Sequence, residues 1–241
     1  MKNLLEKTVG EIVTKDYRTA SVFESFGIDF CCRGNKELKT ACEEHNVPYE
    51  KLQMALEAFV QQSKGEKTEY NLWPIDLLCD YIEKKHHRYV EEKIPVIKQY
   101  LAKIVSVHGT NHPELSEIES LFKTSAGELA MHMKKEELML FPYIRRLVSS
   151  KAEEIKERPP HFGTVKNPIQ SMMHEHDSEG ERFRQIKKLS NNYVPPADAC
   201  NTYIVTCALL KEFEDDLHLH IHLENNILFP KAIAMEKQQT V

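Results

Sequence analysis

The chain has 241 residues, 41% of them hydrophobic and 29% charged, with a net charge of -5. That is the balance of an ordinary water-soluble globular protein, long enough for one large or two modest units, and not of a disordered chain. The negative charge offers no electrostatic reason to bind nucleic acid or an anionic membrane surface, and no apolar run approaches the roughly 18 residues of a spanning helix. Neither partner is expected.

From the N-terminus, MKNLLEKTVGEIV carries scattered charges and no apolar leader, so a cytoplasmic address is expected. Six cysteines in such a chain read as reduced thiols, and neither a C-x-x-C nor a zinc-finger spacing occurs. Two of them, Cys31 and Cys32, are adjacent. A disulfide between neighbours is strained, so a thiol pair that reacts with a partner, a metal or a nitrosyl group is the more natural chemistry. Cys31 and Cys32 are therefore the candidate catalytic thiols, and the other four read as small core residues.

Strand-like alternation is nowhere sustained, whereas apolar residues recur at three- and four-residue steps, which predicts an all-α fold. The polar stretch from Gln61 to Glu69 interrupts the pattern. It divides the chain into a small helical unit (1–62), a linker (63–72) and a four-helix unit (73–241). In the latter, Trp73-Pro74, His112-Pro113, Asn167-Pro168 and Pro195-Pro196-Ala197-Asp198 mark helix starts. They predict helix A (about 74–108), helix B (about 113–150), helix C (about 168–192) and helix D (about 198–233) in an antiparallel bundle, with a crossover containing Arg158-Pro159-Pro160 between B and C.

Helix D contains His220-Ile221-His222-Leu223-Glu224-Asn225-Asn226-Ile227-Leu228-Phe229-Pro230, and helix B contains a twin, His132 to Pro142, with His, Glu, Phe and Pro at the same places. His87 in helix A and His176 in helix C are also 89 residues apart, each 45 or 44 before its His-x3-Glu partner. Periodicity puts His132, Glu136, His176, His220 and Glu224 on inward apolar stripes. His87 continues the row Val90, Ile94, Ile97 and Leu101, while His86 falls with Ile82 and Tyr89, and that choice stays open. His174, His218 and His222 fall off the stripes and are expected at the surface with His45, His112 and His161. Burying ionised carboxylates without compensation costs many kcal/mol. Histidine nitrogen and carboxylate oxygen from four helices suit iron, zinc or manganese, and two glutamates on facing helices can bridge two ions. The candidate metal ligands are His87, His132, Glu136, His176, His220 and Glu224. His108 lies 21 residues from His87, about 30 Å along a straight helix, and is left outside this set.

The two His-x3-Glu-x4-Phe-Pro copies, His86-His87, Val107-His108-Gly109 and Glu175-His176-Asp177 resemble the hemerythrin-like domain. Asp29-Phe30-Cys31-Cys32-Arg33-Gly34-Asn35 resembles the short domain preceding it in the iron-sulfur cluster repair di-iron protein family. The resemblance implies two non-haem iron ions in an oxo-bridged di-iron centre. It also implies a homodimeric cytoplasmic stress-response protein that repairs iron-sulfur clusters damaged by nitric oxide or oxidants, with iron donation as the route. Damaged iron-sulfur proteins and the small ligands nitric oxide or oxygen are the partners it implies. Glu128 and Glu175 become candidates for supporting the ligands or lining an access channel. The alternatives are a non-haem di-iron oxygen or nitric oxide binding or sensing protein, and a nitric oxide reductase.

Overall fold

A computed structural model describes residues 4–62, 68–153 and 160–239. Residues 63–67 of the linker, and Arg158 and Pro159 of the crossover, lie outside the described residues. The first helix, α1 (Val9–Lys15), starts with a reciprocal cap in which the Thr8 hydroxyl accepts from the Glu11 N–H and the Glu11 carboxylate accepts from the Thr8 N–H. Short helices α2 (Ala20–Ser25) and α3 (Leu38–Glu44) and the longer α4 (Tyr49–Gln62) complete the N-terminal unit. Cys31 and Cys32 lie in the loop between α2 and α3.

The bundle follows. Helix A comprises α5 (Ile75–Tyr81), a π segment (Ile82–His87) and α6 (Arg88–His108). Helix B comprises α7 (Glu114–Lys135), a π segment (Glu136–Leu140) and α8 (Phe141–Ala152). Helix C is the unbroken α9 (Lys166–Leu189), and helix D joins α10 (Asn201–Leu223) through a π segment (Glu224–Leu228) to α11 (Phe229–Gln239). All four expected helices are present. Among the described residues the only β pairing is an isolated bridge between Thr8 and Glu37.

The repeated Phe-Pro pair explains two of the π segments. Proline has no N–H and its ring collides with the carbonyl four residues back, so Pro142 and Pro230 cannot continue a regular ladder. The chain widens one turn instead: the Phe141 N–H donates to the Glu136 carbonyl and the Phe229 N–H to the Glu224 carbonyl, five residues back in each case. The wider turn also advances the buried face by one position. In helix B it is Leu140, not Met139, that is fully buried.

Two apolar clusters fill the interior. One joins the N-terminal unit to the bundle through Val9, Phe23, Phe30, Val90, Phe122, Leu129, Phe183, Phe213, Leu217 and others. The second gathers Ile82, Leu140, Phe141, Met172, Leu223 and Ile227. Along every bundle helix the predicted ligands fall between residues of the first cluster and residues of the second. They form a polar layer at the waist.

The N-terminal unit changes the reading of two histidines expected at the surface. His222 is fully buried against the rings of Tyr17 and Phe30, and His218 pairs with Glu24 at 3.2 Å. The apolar stripe of helix D faces the bundle, whereas the N-terminal unit covers its other face.

Candidate metal centre

Six side chains meet in the polar layer. His87, Glu136, His220 and Glu224 bring one donor atom each within 4.8 Å of one another, and so do His132, Glu136, His176 and Glu224. The two glutamates are common to both groups. Donors around one ion at about 2.1 Å stand at most about 4.2 Å apart, so each group is close to the size of a single coordination shell. All six residues are buried, and both glutamates are 0% exposed.

The polar atoms here lack ordinary partners. Neither oxygen of Glu136 has a hydrogen bond, nor does Glu224 Oε2, His87 Nε2 or His220 Nδ1. Orphaned carboxylate oxygens at full burial carry a large desolvation cost unless a cation compensates them. The nearest protein groups are the other proposed ligands: His87 Nε2 and His132 Nε2 at 3.3 and 3.4 Å from Glu136 Oε2, and His176 Nε2 at 3.1 Å from Glu224 Oε2.

The outer nitrogens fix which inner nitrogen is free to ligate. His87 Nδ1 lies 3.0 Å from Glu137 Oε1, and His132 Nδ1 lies 2.8 Å from Glu175 Oε2. A carboxylate oxygen only accepts, so each Nδ1 carries the proton. His176 Nδ1 faces Asn225 Oδ1 at 2.9 Å. His132 Nε2 and His176 Nε2 then confront each other at 3.1 Å, a contact that needs a proton or a metal cation in common. Burial disfavours a charged His132, but Glu136 and Glu175 outweigh it and push this imidazole up to about 10. Burial likewise opposes charge on Glu224, yet His220 and His176 hold its carboxyl well below the usual range. Burial dominates at His220 and lowers it.

The repeat now has a physical meaning at each position. Glu136 and Glu224 stand between the two donor groups. The next residue, Glu137 or Asn225, holds the outer nitrogen of His87 or His176. The phenylalanine stacks on the same ring: Phe141 on His87 at 5.7 Å and 17°, Phe229 on His176 at 6.0 Å and 1°.

His87 is thus the helix A histidine in the cluster, while His86 turns its Nδ1 to Asp216 at 3.0 Å and is also fully buried. His108 belongs to neither donor group; its ring packs on Tyr203 at the far end of the bundle. Glu137, Asn225 and Glu179 escaped the sequence reading. The first two could have been found as residues at matched places in the repeat. Glu179, buried beside Ser125 and Arg182, carries no repeat signal.

A cavity of about 300 Å³ opens onto this layer and reaches His132, His176 and His220, with Glu128, Glu175 and Glu179 on its wall. Cys32 Sγ lies 3.4 Å from the His176 carbonyl, and Cys31 Sγ lies 3.7 Å from Cys32 Sγ. Cys31 is 3% exposed, and the neighbouring Cys32 thiol together with burial pushes it well up.

A helical bundle with two overlapping histidine-carboxylate groups at its waist has the donor set of a cation-binding protein. Comparison with known proteins agrees. The Hemerythrin HHE cation binding domain matches residues 80–232, and a Domain of Unknown function (DUF542) matches residues 5–60. The iron-sulfur cluster repair protein YtfE of Musicola paradisiaca is 32% identical, covering 96% of this chain and 98% of the relative. The iron-sulfur cluster repair protein ScdA of Staphylococcus haemolyticus is 31% identical over 94% and 97%, and YtfE of Yersinia pestis 31% identical over 95% and 98%. The chain belongs to the hemerythrin HHE family and, within it, to the iron-sulfur cluster repair proteins.

Proposed function

We propose that the protein repairs iron-sulfur clusters damaged by oxidative or nitrosative stress, using an oxo-bridged di-iron centre held by His87, His132, Glu136, His176, His220 and Glu224. The observation that carries this reading is the fully buried Glu136, with no hydrogen bond to either oxygen and histidine nitrogens of both donor groups facing it. Glu136 and Glu224 would neutralise the ions from both donor groups, and the four imidazoles would hold them through their inner nitrogens. When bound there, iron supplies a redox-active, Lewis-acidic pair that exchanges small ligands or passes to a client.

Glu137, Glu175 and Asn225 orient the imidazoles, Phe141 and Phe229 hold the rings from the side, and the cavity gives nitric oxide or oxygen a route to His132 and His176. Cys32, the more exposed of the two adjacent thiols, is the group a damaged client meets first, with Cys31 behind it. Action in the cytoplasm and as a homodimer completes the proposal; among the described residues no helix is long and apolar enough to cross a membrane.

Anaerobic reconstitution with ferrous iron tests it. Wild type is expected to hold about two irons per chain and, after oxidation, to show oxo-bridged absorption and Mössbauer coupling. Glu136→Ala and Glu224→Ala are each expected to lose the coupled pair. Retention of coupled iron in both variants overturns the assignment.

A further inference from the structure

The two halves of the repeat differ in chemistry at the residue following the glutamate, a carboxylate in one and a shorter amide in the other. Glu137 in helix B and Asn225 in helix D do the same thing for His87 and His176, yet a carboxylate only accepts, whereas an amide has a donor to spare. The Asn225 Nδ2 donor goes to the Cys31 carbonyl at 3.3 Å. A carbonyl oxygen only accepts, so this contact settles the orientation of the amide and turns Oδ1 toward His176 Nδ1, 2.9 Å away. Nδ1 must then carry the hydrogen, and Nε2 keeps its lone pair for the polar layer.

A second contact converges on the same residue. The Cys32 thiol lies 3.4 Å from the His176 carbonyl, and Gly180, one turn along helix C, leaves room for it: a Cβ there would stand 2.9 Å from Cys32 Sγ. The loop bearing the two cysteines therefore rests on a proposed ligand through both its side chain and its backbone. The equivalent histidine of the other half, His87, is held, among the described residues, by groups of the bundle.

We propose that Asn225 is a positioning residue that couples the Cys31-Cys32 loop to the metal position at His176. Occupation of the centre fixes the His176 ring, strengthens its hold on Asn225 Oδ1 and so restrains the Cys31 carbonyl. Coupling of this kind is reciprocal: whatever loosens the loop weakens iron retention by the same factor. The proposal rests on the di-iron reading above.

The test uses the full chain and two substitutions that separate the halves of the link. Iron retention is measured by chelator competition with ferrous iron, and loop opening by the rate at which a maleimide labels Cys31 and Cys32, with and without iron. Wild type is expected to label several-fold more slowly when loaded. Asn225→Asp keeps the acceptor for His176 and loses the donor to Cys31, which copies the chemistry of the Glu137 half. Its labelling should become indifferent to loading, and its hold on iron should weaken by no more than the several-fold by which loading slows wild-type labelling. Asn225→Ala loses both contacts, and should hold iron about 10-fold less tightly as well as losing the labelling response. Circular dichroism checks that both variants are folded.

Equal labelling of loaded and empty wild type overturns the proposal, as does an Asn225→Asp variant that keeps the full response. If wild type holds no iron at all, the di-iron reading fails instead.

Discussion

At the scale of single residues, Cys200 shows how position decides thiol chemistry. Cys31, Cys42, Cys79 and Cys207 are buried. Burial pushes Cys79 and Cys207 up, the latter to about 11. Cys200 is exposed at the start of α10, where the neighbouring His108 imidazole and the free N–H groups of the first turn bring it down to about 7. Because the thiolate is the nucleophile, its alkylation rate is expected to rise with pH through a midpoint near 7, ahead of the buried thiols. Peptide mapping after brief iodoacetamide exposure between pH 5.5 and 9 checks this, and His108→Ala should move the midpoint up. A flat profile across neutrality would contradict the assignment. His108 was readable in the sequence as a helix-end histidine remote from the ligands. Its thiol partner was not, because Cys200 is 92 residues away in the chain and meets it only through the antiparallel packing.

At the scale of elements, the stripes on helices A to D located the six side chains that meet in the polar layer, but a regular 3.6-residue period could not place the residues beyond them. Each π segment adds one position, which is why His86 and His87 are both buried and why Leu140 replaces Met139 inside. The signal for two of the three was present as the prolines at 142 and 230. A wide turn interrupts the regular hydrogen-bond ladder of the helix on either side. In the metal-free protein, amides in 82–87, 136–140 and 224–228 are therefore expected to exchange hydrogen faster than those one turn away. Iron loading should slow them selectively, as read by hydrogen-deuterium exchange mass spectrometry. Uniform protection along each helix would count against it. The C–D junction is an irregular connection. Asn191, Asn192 and Tyr193 all have positive φ.

For the whole molecule, the sequence divided the chain into two units but said little about how they meet. Asn226 answers part of that question. It donates to the Phe30 carbonyl at 3.4 Å and fits against two glycines: a Cβ on Gly10 would stand 2.3 Å from Asn226 Oδ1, and one on Gly34 would stand 2.9 Å from it. Gly10→Ala is expected to cost about 1–3 kcal/mol by overpacking. Because Asn226 is the nearest obstacle, Gly10→Ala with Asn226→Ala should cost less than the sum of the single changes, in a double-mutant cycle by urea unfolding. Strict additivity would mean that the units do not meet through this contact. Buried His222 belongs to the same surface, and no property of helix D alone announces it.

Glu136 and Glu224 each belong to both donor groups. Neither position can be built separately, since the carboxylates that complete one also complete the other. On the proposed di-iron reading, loading is expected to be close to all-or-none, since the carboxylates that would hold one ion would also hold the other, and a chain that lost one would be poorly equipped to keep the second.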